Sequence, residues 1–274
     1  MADMNALKQK LEEGVAGVFT SDNFLNYLRF SAVFHNYSVN NRVLIFSQMP
    51  TATHVAGFHA WKKLGRSVKK GEHGILIYAP IQRKRVVLNE ETGEDEEVKY
   101  TSYTTAYVFD VSQTEGEEIP EICRELKGDV ENFDEVFKAV EAISPVPIRF
   151  EKITSGAKGY FHRTEKRIAI KEGMSELATL KTALHEITHA MLHDDSVMVR
   201  EKPRIETEAE GTAFLTWALR GYETGEYSFE YLASWAAHAD CSELKMSLDT
   251  ISATAAKFAA AIEEQLKEKA EGVA

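Results

Sequence analysis

The sequence predicts an α+β protein of two domains, in which an α+β domain precedes a mainly helical domain with a small antiparallel sheet. Three observations support this prediction. The chain of 274 residues can hold two domains of ordinary size. Helical and strand patterns mix before residue 112, whereas long helical patterns dominate after residue 174. The acidic, weakly patterned segment 114–130 is typical of a linker, so we place the domains at 1–127 and 128–274.

The first half combines helices with a β-hairpin. Residues 23–48 predict one or two amphipathic helices, which Pro50 ends. A short strand is predicted at 75–78. Residues 81–88 and 98–111 also have strand character and flank the acidic, turn-like sequence NEETGEDEE, which indicates a hairpin.

The second half is organised around one strongly patterned helix. Ser175 is a suitable N-cap, and apolar residues then recur at alternating spacings of three and four until about His193. This periodicity predicts a helix with one apolar face. The other elements predicted here are a helix at 133–143, strands in PVPIRFEKI and GYFHRTEKRIAI, a helix at 204–219, and an alanine-rich helical tail from residue 229.

Composition and charge limit the functional classes. The hydrophobic fraction of 44% and charged fraction of 27% are typical of a soluble globular protein, and no apolar stretch approaches the ~20 residues of a membrane-spanning helix. The N-terminus lacks a signal-peptide pattern and the two cysteines lie far apart, so we expect a cytoplasmic protein with free thiols. The net charge is −11, yet segment 21–85 has ten basic and two acidic residues. Its net +8 fits an anionic partner or a solvated basic face.

The sequence His185-Glu186-Ile187-Thr188-His189 predicts a metal centre. Residues four apart lie on one side of a helix, one turn from each other, so both imidazoles can reach the same ion. Glu186 would then lie beside the metal, where its carboxylate can accept a proton from metal-bound water. The alternative is two ordinary helix histidines.

A catalytic zinc ion needs a third protein ligand. His193 lies eight residues beyond His185, about 12 Å along the helix, which is too far for both to bind one ion. Glu206 and Glu210 share a face of the next predicted helix, so we expect Glu206 to bind zinc and Glu210 to orient a ligand histidine. Glu208 is expected to point away, and a solvated acidic helix start is the alternative for all three.

Longer stretches of the sequence resemble a known family. HEITHAMLH followed by ETEAEGTAF is similar to zincin metallopeptidases, and especially to the peptidase domain of ArdC-type antirestriction proteins and of related repressor-cleaving peptidases. NYSVNNRVLIFSQ, FHAWKKLGRSVKKGEHGILI and VFDVSQTEGE resemble the ArdC N-terminal domain. The resemblance implies single-stranded DNA binding by the first domain and metal binding by the second, in a protein of a mobile element.

This resemblance directs attention to the basic segment of the first domain. Basic side chains follow a phosphate backbone, and exposed aromatic rings stack on unpaired bases. For Trp61, a place in the hydrophobic core is the alternative. The residues expected to bind DNA are Arg42, Trp61, Lys62, Lys63, Lys69 and Lys70.

The combined prediction is an antirestriction or DNA-transfer protein that binds single-stranded DNA and carries a zinc-dependent peptidase site. The edge strand around 159–170 would hold an extended peptide or protein substrate. Two alternatives remain: a DNA-binding protein whose metal is structural or vestigial, and a regulatory peptidase that cleaves a repressor. The residue that stabilises the oxyanion is left open among Tyr160, His162, Tyr222 and His238.

Overall fold

The computed structural model describes residues 4–88, 95–118, 132–193, 202–222 and 232–272. The chain forms two compact units. One contains Met1–Gly14 and Asn40–Pro120, and the other contains Val15–Val39 and Glu121–Ala274. Residues 15–39 therefore cluster with the C-terminal unit, although they precede the predicted division. The boundary between residues 127 and 128 stays a prediction, and most of the predicted linker lies outside the described residues.

The N-terminal unit is built from short helices and two small antiparallel sheets. One sheet has the strand order β1-β4-β3, and β2 pairs with β5 in the other. The predicted hairpin is confirmed as β3 and β4, while the first residues of the expected linker form β5. The elements are α1 (Met4–Val18, which continues into the second unit), α3 (Val39–Gln48), β1 (Val55–Gly57), α4 (Phe58–Lys63), β2 (Arg66–Val68), β3 (Ile75–Leu88), β4 (Asp95–Asp110) and β5 (Thr114–Gly116).

The outer edge of β3 is paired by two amide side chains of α3. Asn41 exchanges two 2.9 Å hydrogen bonds with the backbone of Tyr78, and Gln48 exchanges two of 3.0 Å with the backbone of Leu76. Asn41 and Gln48 are seven residues apart and so lie on the same face of the helix. These bonds satisfy strand groups that would otherwise form an open edge. The asparagine-rich NYSVNN sequence thus has a structural role at Asn41.

Asp110 fixes the end of β4. Its carboxylate accepts backbone hydrogen bonds from Thr53, His54 and Ser112 at 2.8–3.0 Å, and another from the Ser112 hydroxyl. The backbone N–H of Asp110 donates to the Gln113 side chain. These bonds lower the pKa of Asp110, against the opposing effect of burial. The carboxylate therefore ties the loop before β1 to the end of the hairpin.

The C-terminal unit has a three-stranded sheet covered by helices. Its strand order is β6-β8-β7, with β6 parallel and β7 antiparallel to β8. The sheet is therefore mixed, where the sequence predicted an antiparallel one, because GYFHRTEKRIAI forms two strands rather than one. The elements are α2 (Ser21–Val33), α5 (Phe133–Ala142), β6 (Ile148–Glu151), β7 (Gly159–His162), β8 (Arg167–Lys171), α6 (Glu176–Leu192), α7 (Lys202–Leu219), α8 (Leu232–Ala236) and α9 (Cys241–Gly272).

The core of this unit lies between α6 and the sheet. Ser175 caps α6 as predicted, since its side chain accepts a hydrogen bond from the Ala178 backbone. The apolar face of α6 joins a cluster with Ile168 and Ile170 of β8 and with Trp217 of α7. The two-domain α+β class is thereby confirmed. Among the described residues, no helix is both long and apolar enough to cross a membrane.

Candidate metal centre

The two histidines of α6 point at a common position. His185 and His189 lie one helical turn apart, and their Nε2 atoms are 3.0 Å from each other. Both rings are partly buried. This is the arrangement that the i, i+4 spacing predicts, because the capped helix continues without interruption through both residues.

Helix α7 brings a carboxylate to the same position. Oε2 of Glu206 lies 3.5 Å from Nε2 of His185 and 3.7 Å from Nε2 of His189. Zinc bound tetrahedrally at 2.0–2.2 Å would place its ligand atoms about 3.3 Å from one another. The three separations bracket that value, so the donor set fits a small divalent ion. The structure therefore brings together the three residues that the sequence predicts as metal ligands.

Glu210 lies behind His185, as predicted. Its Oε2 is 3.1 Å from Nδ1 of His185, and its Oε1 forms a 2.8 Å ion pair with Lys181. The carboxylate accepts a hydrogen bond from Nδ1–H, so the lone pair of that imidazole is directed through Nε2. The alternative of a solvated acidic helix start does not apply here, because this part of α7 is largely buried.

Glu208 points away from the three ligand atoms, as expected from the helical angle, and it is buried. Its Oε2 lies 3.0 Å from Nε2 of His193, and its Oε1 accepts a 2.5 Å hydrogen bond from Ser247 of α9. Nδ1 of His193 is in turn 3.2 Å from Nδ1 of His189. His193 is therefore no ligand in this geometry, but it contacts one.

Glu186 is buried and lies close to the two histidines. Burial raises the pKa of its carboxyl group, as does the charge of Glu206, while the two histidines and the backbone N–H of Phe161 oppose the rise. Strand β7 approaches α6 closely because Gly159 has no side chain. A methyl group at that residue would lie 2.6 Å from Thr182 and 3.4 Å from Glu186.

The negative surroundings of the site favour a positive charge. Burial alone would lower the pKa of His185, but hydrogen bonds to Glu206 and Glu210 outweigh it and raise that pKa to about 10. Hydrogen bonds with His185 and His189 lower the pKa of Glu206 well below its ordinary value. Both shifts have the direction expected where carboxylates surround a position suited to a cation.

The edge of the sheet beside the site is β7 alone. β8, which the sequence placed within the predicted edge strand, is the central strand. Three of the four side chains considered for oxyanion stabilisation have other contacts here. The Tyr160 hydroxyl donates to Glu151 at 2.9 Å, Nδ1 of His162 accepts from the Glu165 backbone, and the ring of Tyr222 packs edge-on against Trp217. The oxyanion-stabilising residue therefore stays unassigned.

Two of the residues expected to bind DNA are buried. Trp61 is 2% exposed and its indole N–H donates to the Phe109 carbonyl at 2.8 Å, so it is a core aromatic and not a stacking platform. Arg42 is 6% exposed and does not present its guanidinium to a phosphate backbone. Burial argues against the predicted DNA contacts of both residues, and residue type alone does not reveal it. The four predicted residues that are exposed are Lys62, Lys63, Lys69 and Lys70.

The sequence interpretation overlooked Phe58. It lies on α4, four residues before Lys62, and is 52% exposed. Residues four apart share one side of a helix, so an exposed aromatic ring and an exposed ammonium group lie side by side. The signal was available in the i, i+4 spacing of Phe58 and Lys62 within FHAWKK. Exposed tyrosines also occur in β4, at Tyr103 and Tyr107.

The C-terminal unit thus has a metallopeptidase-like fold, and the N-terminal unit contains the basic segment. A family model for the IrrE N-terminal-like domain of the M78 peptidases matches residues 143–218. A model for the N-terminal domain of anti-restriction factor ArdC matches residues 4–109. Together with the fold, these matches confirm the resemblance stated above for two parts of the chain: the first resembles the ArdC N-terminal domain and the second an M78-type peptidase domain.

Solved structures support the same two-domain fold. The antirestriction protein ArdC of the R388 plasmid is 21% identical and matches with TM-scores of 0.55 in its metal-free form and 0.53 in its Mn(II)-bound form. The metal-free match covers 85% of this chain and 86% of that chain, and the Mn(II)-bound match covers 84% and 85%. An uncharacterized Bacillus anthracis protein is 28% identical in an alignment of 289 positions that covers 90% of this chain and 49% of that protein. The chain therefore spans about half the length of this relative.

Proposed function

We propose that this protein carries a zinc-dependent peptidase site, with His185, His189 and Glu206 as metal ligands and Glu186 as general base. The observation that supports this most is the convergence of two Nε2 atoms and one carboxylate oxygen at separations of 3.0–3.7 Å. The Mn(II)-bound ArdC structure supports a divalent ion in this fold. A His/His/Glu set accepts several metals, and zinc is the one that most often occupies it in hydrolases.

The site residues divide the chemistry between them. A bound divalent ion supplies polarisation of a carbonyl group and a water of lowered pKa. The carboxylate of Glu186 would accept a proton from water at such a site, and its raised pKa favours proton acceptance. Glu210 holds His185 in the tautomer that presents Nε2. Among the described residues β7 lies at an edge of its sheet, and an extended peptide would add there as a further strand.

The decisive test compares Glu186→Gln with the unaltered protein. Glutamine keeps the size of the side chain and its hydrogen bond with the Phe161 backbone, but it cannot accept the proton. We expect metal content to be unchanged and cleavage in a mass-spectrometric peptide-mixture screen to disappear. Cleavage that persists in the variant would refute the role of Glu186. No cleavage by the unaltered metal-loaded protein would favour the alternative of a DNA-binding protein with a structural metal.

We also propose that the N-terminal unit binds single-stranded DNA through the α4 surface, defined by Phe58, Lys62 and Lys63, together with Lys69 and Lys70. Within this unit, segment 40–85 has nine basic residues and one acidic residue, Glu72, which leaves a net charge of +8. The four lysines are exposed, and the exposed ring of Phe58 replaces Trp61 as the stacking group. Antirestriction by an ArdC-like protein would follow from covering transferred single strands.

Salt titrations of the full-length protein test this surface. Changing Lys62 and Lys63 to Ala should make the log–log salt slope of binding shallower by about one unit or more. Phe58→Ala should weaken binding by ~1–3 kcal/mol and leave the slope unchanged. Lys257→Ala, which removes an exposed charge from the other unit, is the matched control and should have no effect. Equal effects of the control and the double variant would refute a localised surface.

A further inference from the structure

A chain of buried polar side chains leads away from the candidate metal centre. His189 contacts His193 through their Nδ1 atoms at 3.2 Å, and Nε2 of His193 lies 3.0 Å from Glu208. The other oxygen of Glu208 accepts a 2.5 Å hydrogen bond from the Ser247 hydroxyl. The exposed fractions of His193, Glu208 and Ser247 are 4%, 6% and 1%. We call these three side chains the relay.

The direction of each hydrogen bond in the relay can be worked out. A carboxylate only accepts, so Nε2 of His193 must carry a proton where it meets Glu208. A neutral imidazole has one donor and one acceptor nitrogen, so Nδ1 of His193 accepts. Nδ1 of His189 is then the donor, which leaves its Nε2 as a bare lone pair. Ligation through Nε2 requires that tautomer.

The relay joins three helices at one point. His193 follows the last residue of α6, Glu208 belongs to α7 and Ser247 belongs to α9. The side chain of Arg204 adds a 3.6 Å ion pair to Glu208, and Arg163 donates to the His193 carbonyl at 3.0 Å. Both the ring and the backbone carbonyl of His193 are therefore held by hydrogen bonds. Such fixation limits how far the His189 ring can rotate.

We propose that the relay positions His189 for metal binding and fixes its tautomer, as Glu210 does for His185. This inference rests on the metal site proposed above and adds three positioning residues to it. The two ligand histidines then depend on the same helix, since Glu210 contacts His185 directly and Glu208 reaches His189 through His193. Glu208 needs His193 as an intermediate because it lies on another side of α7 from Glu206 and Glu210.

The test measures metal affinity by competition with a chromophoric chelator, using Zn²⁺ alone. His193→Phe keeps the volume of the ring but removes both hydrogen bonds, and it should weaken affinity about 10–100-fold. His193→Gln keeps an acceptor and a donor and should restore most of the loss. Ser247→Ala should weaken affinity less than His193→Phe does. The visible absorption spectrum of the Co²⁺-loaded protein should change in His193→Phe and return toward normal in His193→Gln.

A matched control separates positioning from general destabilisation. Thr216 is also buried on α7, and its hydroxyl donates to the Thr212 carbonyl at 2.7 Å, away from the relay. Thr216→Val should lower the unfolding midpoint without changing metal affinity. If His193→Phe does not fold, Ser247→Ala and His193→Gln still compare the relay with this control.

The outcomes distinguish the relay from the metal site itself. Metal binding by the unaltered protein, together with unchanged affinity in His193→Phe and Ser247→Ala, would overturn the relay alone. An equal loss of affinity in Thr216→Val would also overturn it. Failure of the unaltered protein to bind metal would overturn the proposed function, and the relay with it.

Discussion

Gly159 controls the distance between β7 and the helix that carries the metal ligands. A Cβ atom at this residue would lie 2.6 Å from Cγ2 of Thr182, 2.9 Å from the Ala169 carbonyl oxygen and 3.4 Å from Cγ of Glu186. Carbon atoms in ordinary contact are about 3.5–4.0 Å apart. The substitution Gly159→Ala therefore requires a displacement of roughly 1 Å between β7 and α6.

The expected cost follows from what can move. Thr182 is β-branched and its rotamer in a helix is restricted, and the carbonyl of Ala169 belongs to the central strand. Neither neighbour can turn aside, so the helix itself must shift. Overpacking of this kind destabilises a protein by about 1–3 kcal/mol. Because Glu186 is also in contact, the shift should reach the candidate metal centre.

Urea unfolding of Gly159→Ala gives the measurement. Gly156→Ala is the control, since an added methyl group there meets no atom within 4 Å. We expect a lower midpoint for Gly159→Ala only, and partial recovery in the double variant with Thr182→Ser, which removes the closest contact. Equal midpoints for the two single variants, or no recovery in the double variant, would refute the close-approach argument.

Further predictions concern the metal ligands and Asp110. The protein should bind one divalent ion per chain, as judged by elemental analysis, and His185→Ala or His189→Ala should abolish it. In chelator competition, Glu206→Ala should weaken binding severely and Glu210→Ala about 10–100-fold, and the reverse order would contradict the ligand assignment. Asp110→Asn should cost about 2 kcal/mol at pH 7. Because the folded pKa of Asp110 is lowered, its stabilisation is present above the unfolded value of about 4 and is lost as pH falls through the folded pKa. The difference between the urea midpoints should shrink as the pH is lowered below about 4, whereas a difference that does not change with pH would contradict this.

The candidate metal centre was largely predictable because the spacing of its residues within each helix decides which side chains share a face. Helical periodicity alone puts His185 and His189 on one side of α6, and the same spacing relates Glu206 to Glu210. A helix repeats its geometry regardless of the rest of the fold. The sequence therefore specified which side chains could meet. That the two helices are neighbours was an inference from their succession in the chain, and the structure brings them together.

Contacts that join distant segments were not predictable in the same way. The helical angle correctly turned Glu208 away from the ligands, but Ser247, its partner, lies 39 residues later on another helix. Trp61 and Arg42 were judged by residue type, and residue type does not decide burial. Residues 15–39 cluster with the C-terminal unit, and no feature of the continuous sequence marks that crossing.

The hydrogen bonds made by the Nδ1 atoms of the two ligand histidines favour a cation at this site more than the motif His185–His189 alone does. In the tautomers argued above, Nδ1 of His185 donates to Glu210 and Nδ1 of His189 donates to His193, so both Nε2 atoms face inward as lone pairs. The carboxylate of Glu206 also faces inward. Three acceptors separated by 3.0–3.7 Å repel one another unless a positive charge lies between them. The rise of the His185 pKa to about 10 has the same cause, because a proton on His185 also places a positive charge among these groups. A divalent ion would bind all three acceptors at once. The hydrogen bonds of Glu210 to His185 and of His193 to His189 should therefore control metal affinity.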